Sequence, residues 1–147
     1  MAEAVIPDAV RERMDAWLRK GLKHFIDGKF VDSVNGETFS VPNPATGQEL
    51  TRCALGGKAE IDMAAQAAVR AFKTWSRMAP AERGKLLRRW AQLIIEHKDE
   101  LNYLECMDVG RPIREGIAGY VERVAHNITF FADLAEKYYD EAFVLPG

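Results

Sequence analysis

Phe25-Ile26-Asp27-Gly28-Lys29-Phe30-Val31 sets two short apolar runs on either side of Asp27-Gly28. Asp and Gly tolerate the positive φ angles of a type I′ turn, so the heptapeptide reads as a β-hairpin. Toward the carboxyl end, Asn35-Gly36 gives a second turn signal before Thr38-Phe39-Ser40-Val41, which alternates like a strand. Pro42-Asn43-Pro44-Ala45-Thr46-Gly47 interrupts regular structure, and Glu49–Leu55 reads as a further strand, so three strands are expected here. Toward the amino end, Pro7–Gly21 reads as a short amphipathic helix with Val10, Met14, Trp17 and Leu18 on one stripe, closed by Gly21. The sequence leaves open whether that helix docks or projects freely.

Beyond Gly56-Gly57 the period becomes helical. Ile61, Ala65, Ala68, Phe72 and Trp75 step by four and three and predict a buried face. Pro80 suits the first turn of a second helix, whose inner stripe is read as Leu87, Trp90, Ile94, His97, Leu101 and Leu104, ending near Asp108-Val109-Gly110. Asp99 is a candidate cap that splits it in two. Pro112 is expected to open a last helix carrying Ile113, Ile117, Tyr120, Val124, Phe131, Ala135 and Tyr138. The fold class is therefore α+β: an N-terminal helix, short antiparallel strands with a hairpin, then three long α-helices. Parallel pairing would need strands between those helices, and none is visible after Leu55. Three short strands offer little surface to cover three apolar helix faces.

The chain of 147 residues has room for one domain, with 48% hydrophobic and 29% charged residues. Twenty Lys and Arg against 22 Asp and Glu leave a net charge of −2 without a block of like charge, which excludes the footprint of a nucleic-acid binder. No apolar run is long enough to span a bilayer. The start Met-Ala-Glu-Ala-Val-Ile-Pro-Asp carries no basic leader before an apolar stretch. Cys53 and Cys106 match neither a disulfide framework nor a zinc spacing. Together these point to a cytoplasmic protein with reduced thiols.

No catalytic constellation emerges from the residues. Cys106 sits near a helix end among Glu105 and Asp108, and both features raise a thiol pKa, whereas a nucleophile needs the opposite. An independent enzyme built on Cys106 is accordingly the weakest of three readings. Cys53 lies in a strand with no histidine near it in sequence. His24, His97 and His126 have no partner at ligand spacing; His97 falls on an apolar stripe, where a core histidine is expected, and His126-Asn127 reads as a polar helix surface. Gly56-Gly57-Lys58 lacks the spacing of a phosphate loop, and no Gly-x-Gly-x-x-Gly follows a strand. Asp99-Glu100 and Asp140-Glu141 read as solvated helix ends.

Taken in order, several pieces resemble the amino-terminal portion of the aldehyde dehydrogenase superfamily. They are Phe25–Val31, Thr38-Phe39, Asn43-Pro44-Ala45-Thr46-Gly47, Ala67-Ala68 through Phe72 and Trp75, Pro80-Ala81-Glu82-Arg83, Leu104–Pro112, and Phe130-Phe131-Ala132-Asp133. The resemblance covers 24–147, with 1–23 as a helical extension. It implies oxidation of an aldehyde to the acid with NAD or NADP: a cysteine attacks the aldehyde, hydride leaves for the nicotinamide, and a glutamate-activated water releases the acid. An asparagine side chain and a backbone amide stabilise the oxyanion. In that family those residues and the glycine-rich cofactor loop lie beyond the matched region, so no catalytic or cofactor-binding residue is carried onto this chain, Cys53 and Cys106 included. The expectation is a truncated piece that is inactive alone and binds no NAD or NADP. A homo-oligomer, or association with a complementary fragment, is the partnership implied; nucleic acid and membrane are not.

The resemblance further implies a structural sodium or potassium ion held by oxygens at Val41, Pro42 and Asp108, with Asp108 as a plain helix cap the alternative. Glu122–Asn127, Phe131-Ala132-Asp133 and Glu141-Ala142-Phe143 are similar to members acting on semialdehydes from aromatic-ring breakdown, of the hydroxymuconic type. A rival reading from a different class is a non-catalytic helical interaction module, since apolar helix faces without a sheet beneath them mark interfaces.

Overall fold

A computed structural model describes residues 6–113, 119–138 and 142. The elements run α1 (Asp8–Leu18), β1 (His24–Ile26), β2 (Lys29–Val31), β3 (Thr38–Pro42), β4 (Glu49–Ala54), α2 (Lys58–Trp75), α3 (Pro80–Glu96), α4 (Lys98–Val109) and α5 (Tyr120–Lys137). Four strands are formed rather than three, because each half of the Asp27-Gly28 hairpin is a strand in its own right. They make two separate antiparallel pairs, β1–β2 and β3–β4. Asp27 at φ 54° and Gly28 at φ 76° supply the two left-handed residues that a type I′ turn requires.

In the second pair the register steps from Val41↔Thr51 to Pro42↔Glu49, leaving Leu50 without an opposite number. That irregularity is a β-bulge, which bends the strand and re-aims its side chains. The chain after α1 joins the same pair: Leu22 N–H donates to the Arg52 carbonyl and Ala54 N–H to the Leu22 carbonyl, each at 2.8 Å.

Docking settles the question left open for α1. Tyr103 on α4 donates its hydroxyl to Asp15 at 2.7 Å, Arg13 pairs with Glu100, and Thr51 donates its hydroxyl to the Leu18 carbonyl at 2.7 Å. Leu18 is buried at the end of the helix.

The tightest helix pair is α3 with α5. The residues buried on these helices are mostly small: Gly84 and Ala91 on α3, and Ala125 and Ala132 beside Val121 on α5. Ala132 is 0% exposed whereas its neighbour Phe131 is 62% exposed. The stripe Tyr120, Val124, Phe131 and Tyr138 therefore lies outside the contact, and the buried face of α5 is one position over. The same holds on α3 and α4, where Trp90, His97 and Leu101 are exposed and Gly84, Ala91, Asn102, Tyr103 and Cys106 are inside. Small side chains let two backbones approach, so the larger residues beside them are left on the outer surface. At the rim, Arg88 reaches both Asp133 and Glu136 at 2.7 Å.

The α3–α4 break falls at His97 (φ −106°, ψ 21°) rather than at Asp99, which sits in the first turn of α4 where its charge suits the helix dipole. Ile113, directly after Pro112, is helical, residues 114–118 lie outside the described ones, and the last helix, α5, begins at Tyr120 after Gly119, at φ 105°. Ile117, Asp140-Glu141 and Phe143 lie outside the described residues.

Helix α2 behaves differently. Ile61 is 67% exposed and Phe72 64%, with Ala65, Ala68 and Trp75 exposed as well. The predicted buried face is open to solvent. What ties α2 down is its amino end, where Glu60 accepts the N–H of Val34 at 2.6 Å and of Gly57 at 2.7 Å. The second contact is the N3 half of a capping box. Asp27 in the hairpin turn also pairs with Arg70 at 3.0 Å.

The chain presents 11121 Å² of accessible surface. A compact monomer of the same mass presents about 7600 Å². Exposed apolar side chains on α2, α3 and α5, among them Phe72, Trp90 and Phe131, contribute to that surface.

Candidate functional site

The bulge at Leu50 and the end of α4 meet at a cavity of about 440 Å³ lined by Trp17, Leu18, Leu22, Val41, Leu50, Thr51, Cys53, Leu104, Glu105 and Asp108. Three elements build it. The last turn of α1 supplies Trp17 and Leu18, the β3–β4 pair supplies Val41, Leu50, Thr51 and Cys53, and the last turns of α4 supply Leu104, Glu105 and Asp108. Helix α4 ends because Gly110 adopts φ 72°, a left-handed C-terminal stop. A Cβ at Gly110 would stand 2.9 Å from Cγ of Pro44, so the Pro42–Gly47 turn closes directly onto this helix end.

Val41 and Asp108 thus come together as walls of one cavity, and Pro42 follows Val41 at the bulge. Carbonyl and carboxylate oxygens are the donors that hard monovalent cations take, so the chemistry of the three residues fits such an ion. Among the described residues no cluster of three or more His, Cys, Asp or Glu is placed to hold a metal.

Cys53 opens on the same cavity, where burial first and the Asp108 carboxylate second push its thiol above the ordinary value. A thiol raised in this way carries less thiolate and is a poor nucleophile. Cys106 is buried in α4 and gives an aldehyde no approach. His97 is exposed, with Nδ1 at 2.6 Å from Glu100, so the expectation of a core histidine is overturned: the helix break at this residue turns the side chain out. Asp99-Glu100 are part-buried, Glu100 being held by Arg13 and His97. His126 and Asn127 lie on the exposed side of α5. His24 Nε2 and Asn102 Oδ1 are buried without a hydrogen-bond partner.

Sequence reasoning missed Trp17, Leu22, Leu50 and Leu104 as cavity residues. Periodicity puts Trp17 on the buried stripe of α1, yet it is 40% exposed at the cavity edge. No sequence signal marks the bulge that brings Leu50 in.

A second space, of about 600 Å³, is lined by the α1–β1 connection and by β4, with Lys23 and Asp32, which pair at 2.8 Å, on its wall. A third, of about 380 Å³, lies between the hairpin (Phe25, Gly28) and the alanines of α2. Neither gathers groups that do chemistry.

The family model described as "Aldehyde dehydrogenase family" matches residues 30–146. The 2-hydroxymuconic semialdehyde dehydrogenase of Pseudomonas sp. (strain CF600) is 42% identical over 127 residues, which are 84% of this chain and 26% of that protein. The crystal structure of HpcC from Thermus thermophilus superposes with a TM-score of 0.89 at 40% identity, covering 99% of this chain and 29% of that one. A crystal structure of PnpE in complex with nicotinamide adenine dinucleotide superposes with a TM-score of 0.80 at 38% identity, covering 85% and 26%. The chain therefore spans between a quarter and a third of the length of these relatives. No helix among the described residues is long and apolar enough to cross a membrane. With the family model covering most of its length and the backbone of a 40% identical relative retained over 99% of it, this chain belongs to the aldehyde dehydrogenase family.

Proposed function

We propose that this chain is the amino-terminal part, residues 24–147 preceded by the 1–23 extension whose helix α1 docks on α4 and β4, of a cytoplasmic enzyme that oxidises an aldehyde to the carboxylic acid with NAD or NADP. The observation that carries this is the family match over residues 30–146, combined with the absence among the described residues of an accessible, activated nucleophile. The nucleophile, the glutamate base and the oxyanion donors are supplied from outside this chain, which alone neither binds the cofactor nor turns over aldehyde. Relatives named for 2-hydroxymuconic, succinate and malonate semialdehydes favour a semialdehyde substrate without singling one out. The test is to incubate the pure 147-residue chain with NAD, NADP and a panel of semialdehydes. No reduced nicotinamide is expected; any that forms would sink the reading, and its loss in Cys106→Ser would assign the activity to that thiol.

The exposed faces of α2, α3 and α5 favour assembly, as a homo-oligomer or with a complementary fragment, over a solitary monomer. They equally support the rival reading, a non-catalytic helical interaction module. The two part on one measurement: a complementary carboxyl-terminal fragment of a relative should restore activity under the first and bind without activity under the second. A compact monomer that binds no hydrophobic dye counts against both.

Val41, Pro42 and Asp108 are assigned a sodium or potassium ion. Its binding to the folded chain raises stability with concentration. The thermal midpoint should climb from millimolar to hundreds of millimolar KCl at constant ionic strength, and a flat response removes the ion.

A further inference from the structure

The cavity between α1, β3–β4 and α4 holds more than an alkali ion uses. One side is hydrocarbon, formed by Leu18, Leu22, Leu50 and Leu104. A bare ion at the oxygens of Val41 and Asp108 leaves those leucines facing empty space, which costs contact energy and hydrophobic burial. At about 440 Å³ the cavity falls within the range of small-molecule sites.

Its other side is negative. Asp108 has no ion-pair partner among the described residues, while Glu105 is shared with Arg111 at 3.3 Å. The last turn of α4 carries no basic residue, and its terminal carbonyls add partial negative charge at this mouth. Trp17 adds an indole ring, the side chain whose face attracts organic cations most strongly.

Hydrocarbon wall, anionic mouth and indole edge together describe one class of ligand. We propose that this cavity binds a primary organic ammonium ion, its hydrocarbon part between the leucines and its ammonium group at Asp108. An ammonium has three donors and no acceptor, which suits the carbonyl, carboxylate and hydroxyl oxygens of the cavity. The inference rests on the cation reading of Val41, Pro42 and Asp108 for where the charge sits, and adds the apolar half of the site.

The experiment titrates the 147-residue chain with phenethylammonium chloride and, separately, with neutral 2-phenylethanol at constant ionic strength. The readout is the Trp17 indole N–H resonance, assigned by its loss in Trp17→Phe, with calorimetry alongside. Expected are saturable binding of the ammonium, at least tenfold weaker binding of the alcohol, and loss of that discrimination in Asp108→Asn, an exposed position that the fold tolerates. Equal binding of amine and alcohol, an unaffected Asp108→Asn, or no binding of either overturns the proposal. Titration with KCl separates the two readings. Competition by potassium supports a shared charge position, whereas ammonium binding that potassium does not touch keeps the organic site and removes the alkali one. Potassium binding without ammonium binding keeps the alkali ion and overturns the organic ligand.

Discussion

Helices α2 and α5 have the same length, 18 residues, and both carry an apolar stripe, yet one is packed and the other is not. On α5 the contact with α3 is made through Ala125 and Ala132 at close backbone approach, with Phe130 and Phe131 turned outward. On α2 the apolar residues face solvent, and only Glu60 is buried. Isolated helices of this length are marginal in water, and tertiary packing supplies most of their stability. The α3–α5 pair therefore carries its own packing, whereas α2 is held at one end by the Glu60 carboxylate and along one edge by the hairpin. Amphipathic pattern alone does not distinguish the two cases. What distinguishes them is whether small residues on a facing helix within the described chain accept the backbone.

Adding bulk to the closed contact should have the largest effect. Ala132→Leu places three heavy atoms into a face with no room, and is expected to cost ~1–3 kcal/mol in urea unfolding. A loss below a few tenths of a kcal/mol would mean that α3 and α5 are not tightly packed, and the contrast with α2 would collapse. Next comes Gly110→Ala, which combines a left-handed φ of 72° with a Cβ 2.9 Å from Pro44. Its expected cost is ~1–2 kcal/mol for the conformation alone. The same unfolding curve should show it, together with altered chemical shifts in the Pro42–Gly47 turn.

The α1–α4 contact sharpens the comparison through pH. Tyr103 is pushed up to about 12, by burial first and then by its hydrogen bond to the Asp15 carboxylate. A phenol whose folded pKa exceeds its unfolded value near 10 stabilises the fold fully below about pH 10, and that stability drains away as pH rises toward 12. Tyr103→Phe should cost ~0.5–1.5 kcal/mol at neutral pH and flatten the stability profile above about pH 10. A mutant whose alkaline profile follows the parent would show that Tyr103 ionises freely and that α1 is not docked through it.

Several parts of this architecture are legible in the sequence. Asp27-Gly28 specifies a type I′ turn because few residue pairs accept two positive φ angles, and Pro80 marks a helix start because it lacks the N–H that a first turn does not need. The inner face of α5 is not legible, since Val124 and Phe131 are as apolar as Ala125 and Ala132 and the pattern favours the larger residues. Nothing local distinguishes His97 from Asp99 as the break between α3 and α4; Asp99 is the better cap by type, but its charge serves equally well one turn in. At the candidate site, Val41 and Asp108 are paired only through the family resemblance. Trp17, Leu50 and Leu104 join them because a bulge and a docked helix bring distant segments together, and neither leaves a periodic trace.

The open face of α2 supplies the smallest effect and the sharpest test. Phe72 is 64% exposed, so Phe72→Ser removes little buried surface, and stability in urea is expected to change by less than ~0.5 kcal/mol. Native-state hydrogen exchange on the same protein should show the α2 amides from Val69 onward exchanging well before those around Ala125, because local opening there exposes no packed core. Dye binding should fall in the variant as the apolar patch shrinks. If Phe72→Ser instead costs as much as Ala132→Leu, then α2 is covered in solution, and the cover is either another copy of the chain or a different partner. Concentration dependence distinguishes these: a second copy makes the stability of the parent rise with protein concentration, and the serine variant abolishes that rise.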